Sequence, residues 1–473
     1  MKVEQIYTGC LAEAAYYIES NGEAAIIDPL RETAPYLERA KNDNAKIKYV
    51  LETHFHADFV SGHIDLAKKA GAQIVFGPTA KPSYAVHVAD DGELLTLGNV
   101  KIKVLHTPGH TLESTTYLLF DEHGKEYAIF TGDTLFIGDV GRPDLVQKVK
   151  AEITPQFLAG KLFESLRTKI MPLPDSVIVY PGHGAGSACG KKMDKETVST
   201  LGLQKKFNYA LRADMTREEF IEAVTDGLVE PPQYFPSNVI MNLTGAVDSI
   251  DTIIANGKRP LAPQQFESTW EAANALVLDT RKKEDFVKEF IPGSVFIGVD
   301  DSFAPWVGTL ITDLKQPILL VTEPGREEEV ITRLARVGYD HTIGFLEGGV
   351  AAWKNAGKET DSIDTISAAE FAKLYAANPG LNLLDARRHS EYETEHLVGA
   401  ENFPLDFINK NMASLDSHKK YYIHCAGGYR SVIMSSILKS RGYNNLVNIA
   451  GGYKELKATS LKKSEVRTVN TEL

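Results

Sequence analysis

The feature that most constrains this chain is an internal repeat in its second half. Asp279 and Arg281 of Leu276-Val-Leu-Asp-Thr-Arg281 recur as Asp385 and Arg387 of Leu383-Leu-Asp-Ala-Arg387, 106 positions on. Gly293 recurs as Gly399 at that same offset of 106, whereas Ile318–Thr322 recurs as Tyr421–Cys425, and Gly348-Gly349 as Gly451-Gly452, at 103. Each copy alternates apolar strands with helices, the pattern of a doubly wound parallel sheet. The chain is 473 residues long, too many for one core. The expected domains are residues 1–250, 262–358 and 363–462, with linkers over 250–264 and 358–365.

The first half carries a different signal. Glu52–His63 (ETHFHADFVSGH) places His54, His56, Asp58 and His63 directly after an apolar strand, Ala45–Leu51. Further strand ends deliver Thr107-Pro-Gly-His110, Thr131-Gly-Asp133, Gly141-Arg142-Pro-Asp144 and Tyr180-Pro-Gly-His183. Ligand-type side chains offered repeatedly from loops at sheet ends point to a metal site. Helices are expected over 33–42, 64–70, 193–210 and 216–227, and a hairpin joins 117–120 to 127–130.

Charge and cysteine usage narrow the partners. Fifty-one basic against 63 acidic residues leave a net charge of −12, without a basic block, which argues against nucleic acid or an anionic membrane as the main partner. No apolar run has the length of a membrane span, and the N-terminus lacks a signal-peptide core. The three cysteines, Cys10, Cys189 and Cys425, give no disulfide framework and suit a reducing cytoplasm. A homo-oligomer is compatible with the sequence.

Cys425 follows an apolar strand and opens the loop Cys425-Ala-Gly-Gly-Tyr-Arg430 ahead of a helix. Loop N–H groups and the helix N-terminus would stabilise a thiolate or persulfide. The Cys-x4-Arg spacing makes a smaller ring than the Cys-x5-Arg of a phosphatase loop. Cys425 is the expected nucleophile, and Arg430 braces the loop or an anion. The first copy has Thr322 in that place and no thiol nearby. Cys189, six positions after His183, is a pocket thiol or an inert loop thiol; Cys10 is read as structural.

The H-x-H-x-D opening and the motifs after it resemble the metallo-β-lactamase superfamily over about residues 1–250. LDxR, HLxGAxNxP and HCxxGxR resemble the rhodanese family. The resemblance implies a multidomain α/β and α+β chain: a metallo-β-lactamase αββα sandwich followed by two rhodanese-like doubly wound α/β domains, the first lacking the catalytic cysteine. Two-zinc members read H-x-H-x-D-H, and their last His binds the second metal; Phe59 stands there instead. The persulfide dioxygenase branch holds one iron on residues that match His54, His110 and Asp133, a two-His, one-carboxylate set. That branch usually keeps the last His, so Phe59 departs from it too. His56, Asp58 and His183 are then groups around the metal or the remnant of a second metal site. Arg142, Tyr180 and Cys189 are substrate-side candidates, and His63 and His106 are assigned no role.

Nearly the whole chain resembles bacterial persulfide dioxygenase–rhodanese fusions. That implies one iron(II) per chain, oxidation of a low-molecular-weight thiol persulfide by O2 to sulfite, and sulfur transfer through Cys425 that forms or uses thiosulfate, in persulfide detoxification. The alternative is a di-zinc thioesterase of the glyoxalase II type, with water activated between two metals. A third reading is a persulfide carrier or sensor with an inert metal fold.

Overall fold

The computed structural model describes residues 1–145, 153–245 and 247–465. These form two compact units, Met1–Thr252 with Thr332–Asp340, and Ile253–Ile331 with the chain from His341 onward. In the first unit, one six-stranded sheet follows chain order: β1 (Lys2–Thr8), β2 (Glu13–Ser20), β3 (Glu23–Ile27), β4 (Lys46–Leu51), β5 (Gln73–Phe76) and β6 (His87–Val88). The other uses β7 (Leu94–Leu97), β8 (Val100–His106), β9 (Thr115–Phe120), β10 (Glu126–Gly132), β11 (Ile178–Pro181) and β12 (Ser199–Thr200), in the order β12-β11-β10-β9-β8-β7.

Strand β2 shows why two sheets stack. Its side chains alternate between two cores. Ala15 and Tyr17 face the helices Ala34–Asn42 and His63–Ala70, packing with Ile26, Tyr36 and Leu66. Ala14, Tyr16 and Ile18 face the second sheet, packing with Ile102, Val104, Tyr117, Leu119 and Phe130. The second sheet's outer face (Leu105, Leu118, Ile129, Val179) is covered by Leu162 and Phe220 of the helices Pro155–Ser165 and Arg217–Thr225. The result is a four-layer αββα sandwich. Strand β2 is buried on both faces because it is covered twice. Thr332–Asp340 belongs to this unit: Arg31 donates to the Asp340 carboxylate at 2.9 and 3.1 Å, and the Val60 N–H donates to the Arg336 carbonyl at 2.7 Å.

Two expectations are corrected. The helix expected from 193 begins only at Leu201. The Lys191 and Lys192 N–H groups both go to the Asp139 carboxylate, at 2.7 and 2.6 Å, and the Asp194 N–H goes to the Ile137 carbonyl. That stretch is tied to a loop and cannot wind, and Ser199–Thr200 pairs with β11 instead. The expected linker over 250–264 is folded: it holds the helix Ile250–Gly257, the strand β13 (Pro260–Leu261) and the start of the helix Pro263–Ala273. Ile250 and Ile253, three apart, are both buried, a helical face the composition concealed.

The second unit holds the repeat. After β13 come β14 (Leu276–Asp279), β15 (Val295–Phe296), β16 (Ile318–Val321) and β17 (Thr342–Leu346), ordered β13-β17-β16-β14-β15. The second copy has β18 (Asp364–Ile366), β19 (Asn382–Asp385), β20 (Ala400–Asn402), β21 (Tyr421–His424) and β22 (Leu446–Ile449), ordered β18-β22-β21-β19-β20. All pairings are parallel, so the two sheets are the same sheet built twice. The repeated Asp–Arg pair is a brace. Arg281 binds Asp279 and donates to the Glu289 carbonyl at 2.9 Å; Arg387 binds Asp385 and donates to the Glu395 carbonyl at 2.9 Å.

Candidate metal centre and cysteine loop

The first unit brings His54, His110 and Asp133 together, with one donor atom from each within 4.8 Å of the others. All three are buried. His54 follows β4. Its Nδ1 lies 2.9 Å from Thr53 Oγ1, which donates to Asp28 at 2.8 Å, so the ring is aimed by a relay from the end of β3. His110 stands in the turn after β8, its Nδ1 2.8 Å from the Arg142 carbonyl. Both rings therefore turn Nε2 inward, at 3.9 Å (His54) and 3.5 Å (His110) from Asp133 Oδ2. Oriented imidazoles whose outer nitrogens are already engaged are what a metal site requires. Asp133 Oδ2 is buried with no hydrogen-bond partner among the described residues, an orphaned acceptor facing two ring nitrogens. The donor set fits a cation.

Two glycines allow this closeness. A Cβ on Gly132 would meet the Thr53 side chain at 2.5 Å, and one on Gly182 would meet Asp133 Oδ1 at 2.7 Å. His183 lies between two carboxylates, Nδ1 2.8 Å from Asp133 Oδ1 and Nε2 2.8 Å from Asp58 Oδ2. Burial alone would lower the His183 pKa, but Asp133 and Asp58 raise it well above the ordinary value. Burial would likewise raise the Asp133 carboxyl, yet His183, His110 and His54 hold it below the ordinary range. Burial, then His56, keeps His54 neutral.

The remaining candidates fall in several places. Asp58, His183 and Cys189 form a second buried group of close donors, and Asp28, Glu52 and His56 a third. His56 thus stands outside the first group. Its Nε2 is 3.1 Å from Asp28 Oδ1, and its ring lies 4.2 Å from Phe59, which is wholly buried. Cys189 is buried, and that burial, then Asp58 and Asp133, push its thiol well above the ordinary range. Arg142 spends its guanidinium on Asp144 at 2.6 and 2.7 Å and on the Val229 and Ala188 carbonyls. Tyr180 stacks on Phe130 with centroids 5.2 Å apart and packs against the inter-sheet core. His63 lies 2.6 Å from the Tyr84 hydroxyl, and His106 Nε2 is 2.9 Å from the Leu112 carbonyl.

Sequence reasoning missed two residues here. Asn242 donates to the His56 and Phe59 carbonyls at 2.8 Å each and accepts the Ser61 N–H at 2.9 Å, so a distant helix holds the metal loop's shape. Glu13 is buried, both its carboxylate oxygens unpartnered among the described residues, and it bridges His183 through the backbone. Burial raises its carboxyl well above the ordinary range. Neither carries a motif.

The second unit presents Cys425 where β21 ends. The thiol is buried and accepts the Gly428 N–H at 3.1 Å. Gly428 has φ +93° and caps the helix Tyr429–Ser440. From the far end of the module, the Tyr453 and Lys454 N–H groups donate to the Cys425 and Ala426 carbonyls at 2.6 and 3.1 Å. A Cβ on Gly452 (φ +59°) would sit 2.4 Å from the Cys425 carbonyl oxygen. Arg430 donates to Glu391. In the first copy Thr322 follows β16 at the matching place, buried, its hydroxyl without a partner among the described residues.

Comparison with known proteins matches the two halves of the chain to two families. Residues 8–183 match the family model for the metallo-beta-lactamase superfamily, and residues 262–356 and 367–459 match that for the rhodanese-like domain. A probable hydroxyacylglutathione hydrolase of Schizosaccharomyces pombe is 32% identical over 186 residues, 38% of this chain and 66% of the relative. The chain thus spans just under two thirds of that relative's length. The mitochondrial persulfide dioxygenase of Homo sapiens is 29% identical over 229 residues, 48% of this chain and 81% of the relative. The crystal structure of a metallo-beta-lactamase from Staphylococcus aureus superposes with a TM-score of 0.63 at 31% identity, covering 73% of this chain and 98% of that one.

Proposed function

The chain belongs to the metallo-beta-lactamase superfamily and carries two rhodanese-like domains after that fold, and from this we propose that it oxidises low-molecular-weight thiol persulfides and transfers sulfane sulfur. The overall oxidation is RSSH + O2 + H2O → RSH + SO3²⁻ + 2H⁺. The observation that carries this reading is the group His54, His110 and Asp133, with His56 turned away and Phe59 in place of a further ligand. Two imidazoles and one carboxylate are a donor set that would hold iron(II). Iron(II) bound there would supply the redox chemistry that lets O2 oxidise a sulfane sulfur.

The chain's own groups do the rest. Thr53 and the Arg142 carbonyl fix the two rings. His183 holds Asp133 in place and keeps it ionised. Arg142 acts as the brace of its loop. The buried thiol of Cys189 stands close to Asp58 and His183. In the other unit Cys425 takes a sulfane sulfur and passes it to sulfite, giving thiosulfate, or runs in reverse. The oxidising domain is residues 1–250, the thiol-lacking module 262–358 and the transferring module 363–462.

The Asp58–His183–Cys189 group, together with the hydrolase relative, favours one further reading, a two-metal thioester hydrolase. Metal analysis of anaerobically prepared protein, followed by O2 uptake on a panel of thiol persulfides, separates the two. About one iron per chain with persulfide-dependent O2 uptake is expected. Two zincs per chain with thioester hydrolysis and no O2 uptake would overturn the proposal.

A further inference from the structure

Passing sulfane sulfur from a Cys425 persulfide to sulfite gathers three negative charges, one on the persulfide and two on sulfite. The sulfite lone pair forms the new S–S bond, the bond from Sγ to the outer sulfur breaks, and its electron pair stays on Cys425 as the thiolate. No oxidant or proton is consumed, so the difficulty of the step is electrostatic. The Gly428 N–H and the helix behind it offer partial positive charge. Arg430, the loop's own cation, is already matched by the Glu391 carboxylate at 2.6 and 2.8 Å.

The thiol-lacking module brings a second cation to this loop. Lys283 Cε lies 4.0 Å from where a Cβ on Gly428 would stand. The approach is held by packing. Tyr429 donates its hydroxyl to the Gly298 carbonyl at 3.1 Å, and its ring meets Phe296 edge-on at 6.0 Å. The Phe296 N–H donates to Ser436 Oγ at 2.9 Å, on the helix that Cys425's loop begins. Lys283 itself is 34% exposed, and its partner Glu284, 2.9 Å away, is 62% exposed. A solvated pair of this kind is weak enough for an incoming dianion to replace the carboxylate.

We propose that Lys283, from the module without a thiol, binds the oxygens of the sulfur oxyanion (sulfite, or the sulfonate end of thiosulfate) at Cys425. The proposal rests on the sulfur-transfer reading of Cys425 and gives the first module a part in that reaction. Lys283 places the anion's charge beside the Gly428 N–H, leaving Arg430 to hold the loop.

The test uses the full chain under anaerobic conditions, with the persulfide of 2-mercaptoethanol as sulfur donor and sulfite as acceptor. Lys283→Met is expected to raise the KM for sulfite by about tenfold, to leave kcat at saturating sulfite within about threefold, and to leave persulfide loading of Cys425 unchanged by mass spectrometry. Lys283→Arg should restore most of the lost affinity. A sulfite KM within about twofold of the wild type in active Lys283→Met protein would overturn the proposal, as would an equal loss of loading, which marks a purely structural role. Thiosulfate formation that survives Cys425→Ser, with Lys283 intact, would remove the underlying reading and this proposal with it.

Discussion

Arg430 donates both terminal guanidinium nitrogens to Glu391, at 2.6 and 2.8 Å, so the arginine of the cysteine loop is tied to the helix His389–Thr394. Burial alone would raise the Glu391 carboxyl, but Arg430 holds it below its usual 4.5. A depressed carboxyl contributes stability that is whole above the unfolded value and is lost as pH falls through the folded one. Thermal unfolding followed from about pH 6 down to about pH 3 should therefore show the wild type losing stability faster below 4.5 than Glu391→Gln. Parallel curves would show that the pair takes no part in the acid response.

The donor geometry sets His54, His110 and Asp133 apart from His56. His54→Ala, His110→Ala and Asp133→Asn should each lower bound metal by at least about tenfold and abolish O2 uptake. His56→Ala should keep its metal, because His56 stands with Asp28 and Glu52 rather than with Asp133 Oδ2. Metal content of purified protein checks this directly. Loss of metal in His56→Ala equal to that in His54→Ala would redraw the ligand set.

Cys425→Ser should remove sulfur transfer to sulfite and leave persulfide-dependent O2 uptake within about twofold of the wild type. The thiol sits in one compact unit and the His54–His110–Asp133 group in the other. Loss of both activities in a variant that melts normally would mean that the two chemistries are not separate.

His63 supplies a pH dependence near neutrality. Burial, then His56 and Arg31, push its pKa from 6.5 down to about 3, while Glu52 and the Tyr84 hydroxyl line its other sides. The unfolded chain binds this proton more readily than the folded one, so stability is whole above 6.5 and declines as pH falls toward 3. By about pH 5.5 the expected loss is about 1.4 kcal/mol. Chemical denaturation of wild type and His63→Gln at about pH 7 and about pH 5.5 measures it; the variant should lack this share of the slope.

What was legible followed from spacing. The repeat predicts two like sheets because Asp279/Asp385, Gly293/Gly399 and the glycine pairs mark equivalent places, and β13–β17 and β18–β22 have equivalent orders. Histidines at strand ends pointed to a metal site, and His54, His110 and Asp133 do converge. Contacts decided at long range were not legible. Strand β2 carries two acids, Glu13 and Glu19, and nothing local marks the first, yet Glu13 lies beside His183, 170 positions away. Asn242 shapes a loop 186 residues upstream through two carbonyls that no local pattern announces. The helix starts at Leu201 rather than at 193 because Asp139 binds the backbone of 191–192, a tertiary bond that overrides propensity.

The doubled Asp–Arg brace has a consequence for how such chains are recognised. Asp279–Arg281 makes the same bonds in the module ending β16 with Thr322 as Asp385–Arg387 makes in the module ending β21 with Cys425. The pair is indifferent to whether a sulfur atom stands at the neighbouring strand end. A census keyed to it would count two sulfur-handling centres in a chain whose second half holds a single cysteine. Brace and thiol are separable here: the residue after the central strand is Thr322 in one module and Cys425 in the other.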